Sequence, residues 1–413
     1  MKFEEIIENA DQLYKKGKYE KSLKEYKKAL KKKFNSYEIH SKIASINIIL
    51  RDFEEASKSL KLALKFKPEA YENYFMLGNV YQSMGYIKNA IESYEKYLES
   101  IEQDDKGFWV ILYSLYVQLD MKEKAKKIYD EKLKEIKYKL ENEKNDPETY
   151  HQAAILKRFE NDHQKALEYL NEAIKLNKNS IYYVEFADSC THLANLDIEK
   201  RKEDKYLKEA VEKLEEGIKN CEDNKKIYES LSNIYMILEE YKKSADTLEI
   251  LLNKYPSYSD VYIRYHNLLD KNLEDFDRII KIYGELKEKY PQNPIITYCL
   301  MNGYMRKEQN QKAYEIGLKA EKEDYADALI YLSMGHINEI ENKNIEAETY
   351  YKKSIKENKF FFDSYFKLMI FYNKLKEEEK LKELFKEFKA LSTEIKDSTL
   401  KKRHDRMIKE LKI

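Results

Sequence analysis

The sequence predicts an all-α chain organised as stacked antiparallel helix pairs. Nine glycines and five prolines in 413 residues leave little turn chemistry for β-hairpins, so helices joined by short connections are expected. A small residue followed four positions later by a large one recurs at a near-constant interval, the mark of a repeat array. Within each interval the apolar residues divide into two helical stripes.

Taken in order, the recurring pair is Ser22 with Tyr26, Ala56 with Leu60, Ala90 with Tyr94, Ala125 with Tyr129, Ala166 with Leu170, Ala210 with Leu214, Ser244 with Leu248, Ala313 with Gly317 and Ala347 with Tyr351. Ile279 with Tyr283 and Leu381 with Phe385 fill the two remaining slots with larger residues. Successive anchors lie 34, 34, 35, 41, 44, 34, 35, 34, 34 and 34 residues apart. Each unit reads as two helices. The first carries an aromatic, a leucine three on, a small residue next and a tyrosine three further, as in Tyr74-Leu77-Gly78-Tyr81. In Trp109-Leu112-Tyr113-Tyr116 a large residue takes the small slot. The second helix carries the anchor and ends on an apolar pair such as Ala63-Leu64 or Leu251-Leu252. Pro68, Pro256 and Pro291 close units, because proline lacks the N–H that would extend a helix.

A glycine inside a helix costs about 1 kcal/mol against alanine. Gly78 accepts that cost twelve residues before Ala90, where the two helices of a unit are expected to cross with close backbones and Tyr74, Leu77, Tyr81 and Tyr94 filling the space around them. Ala44 with Ala56, and Gly335 with Ala347, take the same role; Ala125, Ala166 and Ala313 are second-helix anchors of other units. Tyr113 and Met301 break the rule, so looser or shifted crossings are expected there. Two intervals are long. Seven extra residues between Ala125 and Ala166 read as two more turns on a second helix, then a break at Asn145-Asp146-Pro147; this is either tolerated growth or a bend near 141–148. Ten extra residues between Ala166 and Ala210 read as an irregular insertion near 191–207, where the first helix runs on and the hairpin loop lengthens. The array spans 1–391. Residues 392–413, with Leu400, His404, Met407 and Leu411 on one stripe, read as a C-terminal capping helix that covers the last apolar surface, and His404 as a partly buried packing residue.

This pattern resembles the tetratricopeptide repeat family over nearly the whole chain, in about eleven units. The resemblance implies a right-handed superhelical α-solenoid whose concave groove takes an extended peptide or a helix of a partner protein. It also implies that the groove is lined by the residues just after the aromatic and just after the small residue of each first helix, Arg264 and Leu268 among them. The peptide-binding candidates are Phe75, Asn79, Gln82, Ser114, Asn233, Arg264, Tyr298 and Asn302. An asparagine amide donates and accepts at once, which suits a sequence-tolerant grip on an extended backbone, while Phe75 and Tyr298 would act as apolar anchors. The family's carboxylate clamp for chaperone tails needs Lys and Asn one turn apart, then Asn, then Lys and Arg in the following units. Around Asn79 stand Phe75, Ser114 and Ile155 instead, so no binding to such a tail is expected.

The remaining observations narrow the function. The 76 basic and 76 acidic residues cancel, which removes the bulk electrostatic reason to bind nucleic acid or acidic lipid. Three scattered cysteines suggest a reducing compartment and a cytoplasmic protein. The N-terminal stretch is amphipathic and acidic with no apolar signal core, and no run approaches the ~20 apolar residues of a membrane span. Phosphate-cradling loops and H-E-x-x-H are missing, and Cys190-Thr191-His192 alone cannot supply four zinc ligands. The expectation is a non-enzyme without metal or cofactor. It would serve as an interaction scaffold or adaptor for a protein partner. The alternative is a structural subunit of a multiprotein complex or homo-oligomer; RNA binding is the least favoured, since Arg264 is the single firm cation among the groove positions.

Overall fold

The computed structural model describes residues 2–15, 19–99, 108–143, 145–194, 204–256, 260–395 and 398–411. Among them every regular element is helical. The helices run in antiparallel pairs: α1 (Phe3–Lys15) with α2 (Tyr19–Lys32), α3 (Tyr37–Ile49) with α4 (Phe53–Phe66), α5 (Glu72–Ser83) with α6 (Ile87–Glu99), and α7 (Phe108–Gln118) with α8 (Lys122–Asn142). There follow α9 (Pro147–Phe159) with α10 (His163–Leu176), α11 (Ser180–Leu193) with α12 (Lys205–Asn220), α13 (Lys225–Ile237) with α14 (Tyr241–Lys254), and α15 (Asp260–Leu268) with α16 (Phe276–Lys289). The last pairs are α17 (Pro294–Arg306) with α18 (Asn310–Lys322), α19 (Ala328–Ile340) with α20 (Asn344–Glu357), and α21 (Phe362–Lys374) with α22 (Glu378–Ala390), after which α23 (Ser398–Leu411) ends the chain's described part. The fold is an all-α solenoid.

Two compact units divide the chain: residues 1–132 with 387–413, and residues 133–386. In the first, one core cluster gathers Ile6, Ala10, Tyr26, Ala29 and Ile43, and another gathers Leu60, Leu77, Tyr94, Phe108 and Leu112. In the second, three clusters follow one another, around Phe186, Tyr265 and Met334. Each of these clusters draws its members from successive pairs, as repeat stacking requires.

The crossings explain the small residues. Ser22 Oγ donates to the Ala10 carbonyl at 2.8 Å, and Ser244 Oγ to the Ser232 carbonyl at 3.0 Å, so a second-helix side chain touches first-helix backbone. A Cβ on Gly78 would lie 2.3 Å from Tyr94 Cε1, and one on Gly335 2.6 Å from Tyr351 Cδ1. Ala44, Ala56, Ala90, Ala125, Ala166, Ala313 and Ala347 are all buried. Met301 stands in a small slot, yet its crossing is filled rather than loose. A Cβ on Gly317 of the facing helix would lie 3.0 Å from Met301 Cε and 2.8 Å from Met334 Cγ, so bulk and gap have changed places. Tyr113 is half-buried and tilts against Tyr129 at 5.9 Å.

Turns within a pair are short because one residue turns left-handed. Arg51, Asp120, Asn161, Glu239, Glu308, Asn342 and Lys376 all have φ between 54° and 61°, and Gly85 has φ 77°. Outside glycine this conformation costs about 1–2 kcal/mol. The next helix is often capped at once, as where Asp162 accepts from the Lys165 N–H at 3.1 Å. The interval from Ser244 to Ile279 holds 35 residues, and its extra residue is absorbed in a π turn, Leu269–Leu273, ending on left-handed Glu274. That turn shifts the register, and Leu268, expected on the groove, is buried instead.

α8 runs 21 residues, and α9 begins at Pro147 with Asp146 accepting from the Glu148 and Thr149 N–H groups at 3.2 and 3.1 Å. Of the insertion near 191–207, α11 ends at Leu193 and α12 begins at Lys205; residues 195–203 lie outside the described residues. On α23, His404 is fully rather than partly buried, its Nε2 2.8 Å from the Phe388 carbonyl; a satisfied nitrogen makes full burial affordable.

Neighbouring pairs are joined by a recurring triad. Glu95 accepts from Tyr116 and Lys124 at 2.7 Å each; Glu249 accepts from Tyr265 at 2.6 Å and Arg278 at 2.5 Å; Glu348 accepts from Tyr372 at 2.9 Å and Lys380 at 3.1 Å. In each case the acid lies on a second helix and both donors lie on the following pair.

Candidate interaction face

The first helices of successive pairs lie side by side: in the second unit α11 contacts α13, α15 contacts α17, and α17 contacts α19. Their outward side chains form the face where the sequence places a groove. The eight candidate residues fall into two sets, one in each compact unit.

In the first unit Asn79 and Gln82 are exposed on α5. The Tyr94 hydroxyl lies 2.7 Å from Asn79 Oδ1 and 3.0 Å from Gln82 Oε1. Tyr94 itself is fully buried over Gly78, so a fixed ring offers its one hydroxyl proton to either amide oxygen, Asn79 being the nearer, and burial pushes its phenol up to about 12. Phe75 is half-buried rather than protruding: its ring lies 6.1 Å from Tyr94, 5.3 Å from Tyr97 and 5.8 Å from Phe108. Ser114 is exposed and its hydroxyl donates to the Val110 carbonyl at 2.8 Å.

In the second unit Asn233 is exposed, and its Oδ1 accepts from Arg264 Nη2 at 2.6 Å. The same guanidinium lies 3.4 Å from Glu229. Tyr298 is half-buried, its ring 5.9 Å from His266, and burial pushes its phenol to about 12. Asn302 is half-buried; its Oδ1 is shielded from solvent without a well-formed hydrogen bond, beside a buried His266 whose imidazole is pushed down by desolvation.

Two cations on this face, with their acids, escape the sequence pattern, whereas His151, just after the aromatic Tyr150, falls within it. Arg306 lies 2.7 Å from Asp270 in the π turn, and Lys374 lies 3.2 Å from Glu339. Burial would raise the Glu339 carboxyl, but hydrogen bonds from Tyr351 and Lys374 hold it below the usual range. Both cations are the last residue of a first helix, a position that the aromatic and small-residue pattern does not mark. On α9, His151 Nε2 lies 3.0 Å from Glu185 and its Nδ1 3.6 Å from Glu148. Burial alone would lower this imidazole; the two carboxylates more than offset it and raise it to about 9.

Among the described residues no group of three or more His, Cys, Asp or Glu could hold a metal ion. No described helix is long and apolar enough to cross a membrane. Cys190, Cys221 and Cys299 are free thiols, and burial pushes Cys190 up to about 12.

An all-α stack of helix pairs with small residues at most crossings is the architecture of a helical repeat protein. The tetratricopeptide repeat model matches residues 37–69, 71–104 and 147–180. A TPR repeat-containing protein of Methanocaldococcus jannaschii, MJ1428, is 26% identical over 370 residues, 86% of this chain. The chain spans 58% of that relative's length. Among solved structures, yeast Tom70 aligns over 99% of this chain and 95% of its own, at 15% identity and a TM-score of 0.38. A tetratricopeptide repeat protein from Parabacteroides merdae aligns over 66% of this chain and 98% of its own, at 18% identity and a TM-score of 0.44. Three of the chain's helix pairs, α3–α4, α5–α6 and α9–α10, thus match the tetratricopeptide repeat model.

Proposed function

We propose that the chain is a non-enzymatic scaffold that holds a peptide segment or helix of a partner protein against its first-helix face. It works in the cytoplasm, without cofactor or metal, and takes neither chaperone tails, nucleic acid nor membrane as its partner. The observation that carries this reading is the pair of exposed amides on α5, Asn79 and Gln82, oriented by one buried tyrosine hydroxyl. Presenting polar groups in a fixed orientation lowers the ordering cost of binding. The partial burial of Phe75 makes it an apolar floor beside these amides, and that of Tyr298 gives Asn302 one of its own.

The test is capture from a native lysate by the full chain and by Asn79→Ala with Asn302→Ala. Capture of a defined partner weakens in the double variant while far-UV circular dichroism stays unchanged. Undiminished capture would remove these asparagines from the binding face.

A further inference from the structure

On the first-helix face of the second unit, three ion pairs repeat from one first helix to its neighbour. Arg264 on α15 reaches back to Glu229 on α13, Arg306 on α17 to Asp270 in the π turn, and Lys374 on α21 to Glu339 on α19. In all three the acid is the sunken partner. The three carboxylate side chains keep between 13% and 15% of their accessible surface, the three cations between 36% and 61%. The neutral composition of the chain therefore hides a local asymmetry: this face turns positive groups outward and holds its negative groups beneath them. Two aliphatic side chains on the same helices, Ile340 and Ile370, are also about half exposed, at 49% and 50%.

We propose that this stretch, from α13 to α21, receives an internal segment of a partner that is acidic and carries aliphatic side chains. The inference rests on the scaffold reading above and names the partner's chemistry. The segment's carboxylates meet Arg264, Arg306 and Lys374, where charge-assisted hydrogen bonds are stronger than neutral ones. Its aliphatic groups cover Ile340 and Ile370, which gives the two isoleucines a reason to stand in solvent. Each cation is already shared with a carboxylate below it, so the face lacks the uncompensated charge that drives phosphate-backbone binding through counterion release. Its most exposed apolar groups, Ile340 and Ile370, are aliphatic, whereas single-stranded nucleic acid is held by aromatic stacking. A protein segment fits better than RNA on both counts.

The experiment uses the full chain and fluorescence anisotropy with a short labelled peptide of Glu and Leu, acetylated and amidated so that no terminal carboxylate takes part. Controls are the same peptide with Gln, or Lys, for every Glu, and a labelled oligouridine. The Glu peptide is expected to bind at least about tenfold more tightly than the Gln peptide. Arg264→Gln with Arg306→Gln and Lys374→Gln removes that preference. Glu229→Gln with Glu339→Gln, which frees two cations from their counter-charges, tightens the Glu peptide further; a merely structural role for these acids would loosen it. Thermal melts confirm that each variant is folded. Equal binding of the Glu and Gln peptides, an unchanged triple variant, or preference for oligouridine overturns the proposal. If all three peptides bind alike and Asn79→Ala with Asn302→Ala abolishes them, the scaffold reading stands and the acidic preference falls. If no peptide binds, both fall.

Discussion

Gly78→Ala is the sharpest probe of the crossings. The new Cβ would lie 2.3 Å from Tyr94 Cε1, 2.4 Å from Cδ1 and 2.8 Å from Cζ. Tyr94 has nowhere to retreat, since it is fully buried, its ring meets Phe75 and Phe108, and its hydroxyl is placed between Asn79 and Gln82. Alanine recovers about 1 kcal/mol of helix propensity. Against that stand about 1–3 kcal/mol of overpacking and one strained hydroxyl hydrogen bond, about 0.5–1.5 kcal/mol. The net is a destabilisation of about 0.5–3.5 kcal/mol, centred near 2. The matched control is Gly284→Ala, on α16, where an added Cβ meets nothing within 4 Å; there the propensity acts alone and the variant gains about 1 kcal/mol. Urea melts followed by far-UV circular dichroism serve as the assay, with the buried Trp109 of α7, the chain's single tryptophan, as a second probe for the Gly78 variant. The two substitutions must move the midpoint in opposite directions. A Gly78→Ala chain that melts at or above the parent refutes close packing as the reason for the glycine.

Two further outcomes follow from ionisation. Burial pushes Glu348 up, but Lys352, Lys380 and Tyr372 hold its carboxyl down to about 2. A depressed acid stabilises the fold above its unfolded value near 4.5 and stops doing so as pH falls to about 2, so the stability gap between the parent and Glu348→Gln narrows across that window in acid melts. His151 is the reverse case: held at about 9 by Glu148 and Glu185, it stabilises fully below about 6.5 and loses that contribution as pH rises through about 9. The cost of His151→Gln, measured by denaturant midpoints, should therefore be large at pH 6 and small at pH 10.

The solenoid was legible because packing at a crossing acts on residue size at a fixed spacing. Ser22 twelve residues after Ala10, and Ser244 twelve after Ser232, obey the same geometry as Gly78 and Ala90, and size is visible in a string of letters. The π turn was half visible: the interval from Ser244 to Ile279 is 35 residues against the usual 34, but the string does not say whether a loop or a helix absorbs the surplus, and that choice buries Leu268. Phe75 and Tyr298 show the other limit. Their spacing marks them as face residues, yet how deep each ring sits depends on neighbours such as Tyr97, Phe108 and His266, whose directions only the fold reveals. The sunken carboxylates are hidden for the same reason, because depth is a property of a side chain among others and not of its place in a period.

Met301 and Gly317 have a consequence for how this unit can change. To return to the usual arrangement, the methionine must shrink and the glycine must grow. Shrinking first opens a void beside Met334; growing first drives a side chain into two methionines. Either route passes over a ridge of poorly fitting intermediates, so one inverted joint, once made, is trapped in the lineage by shape alone.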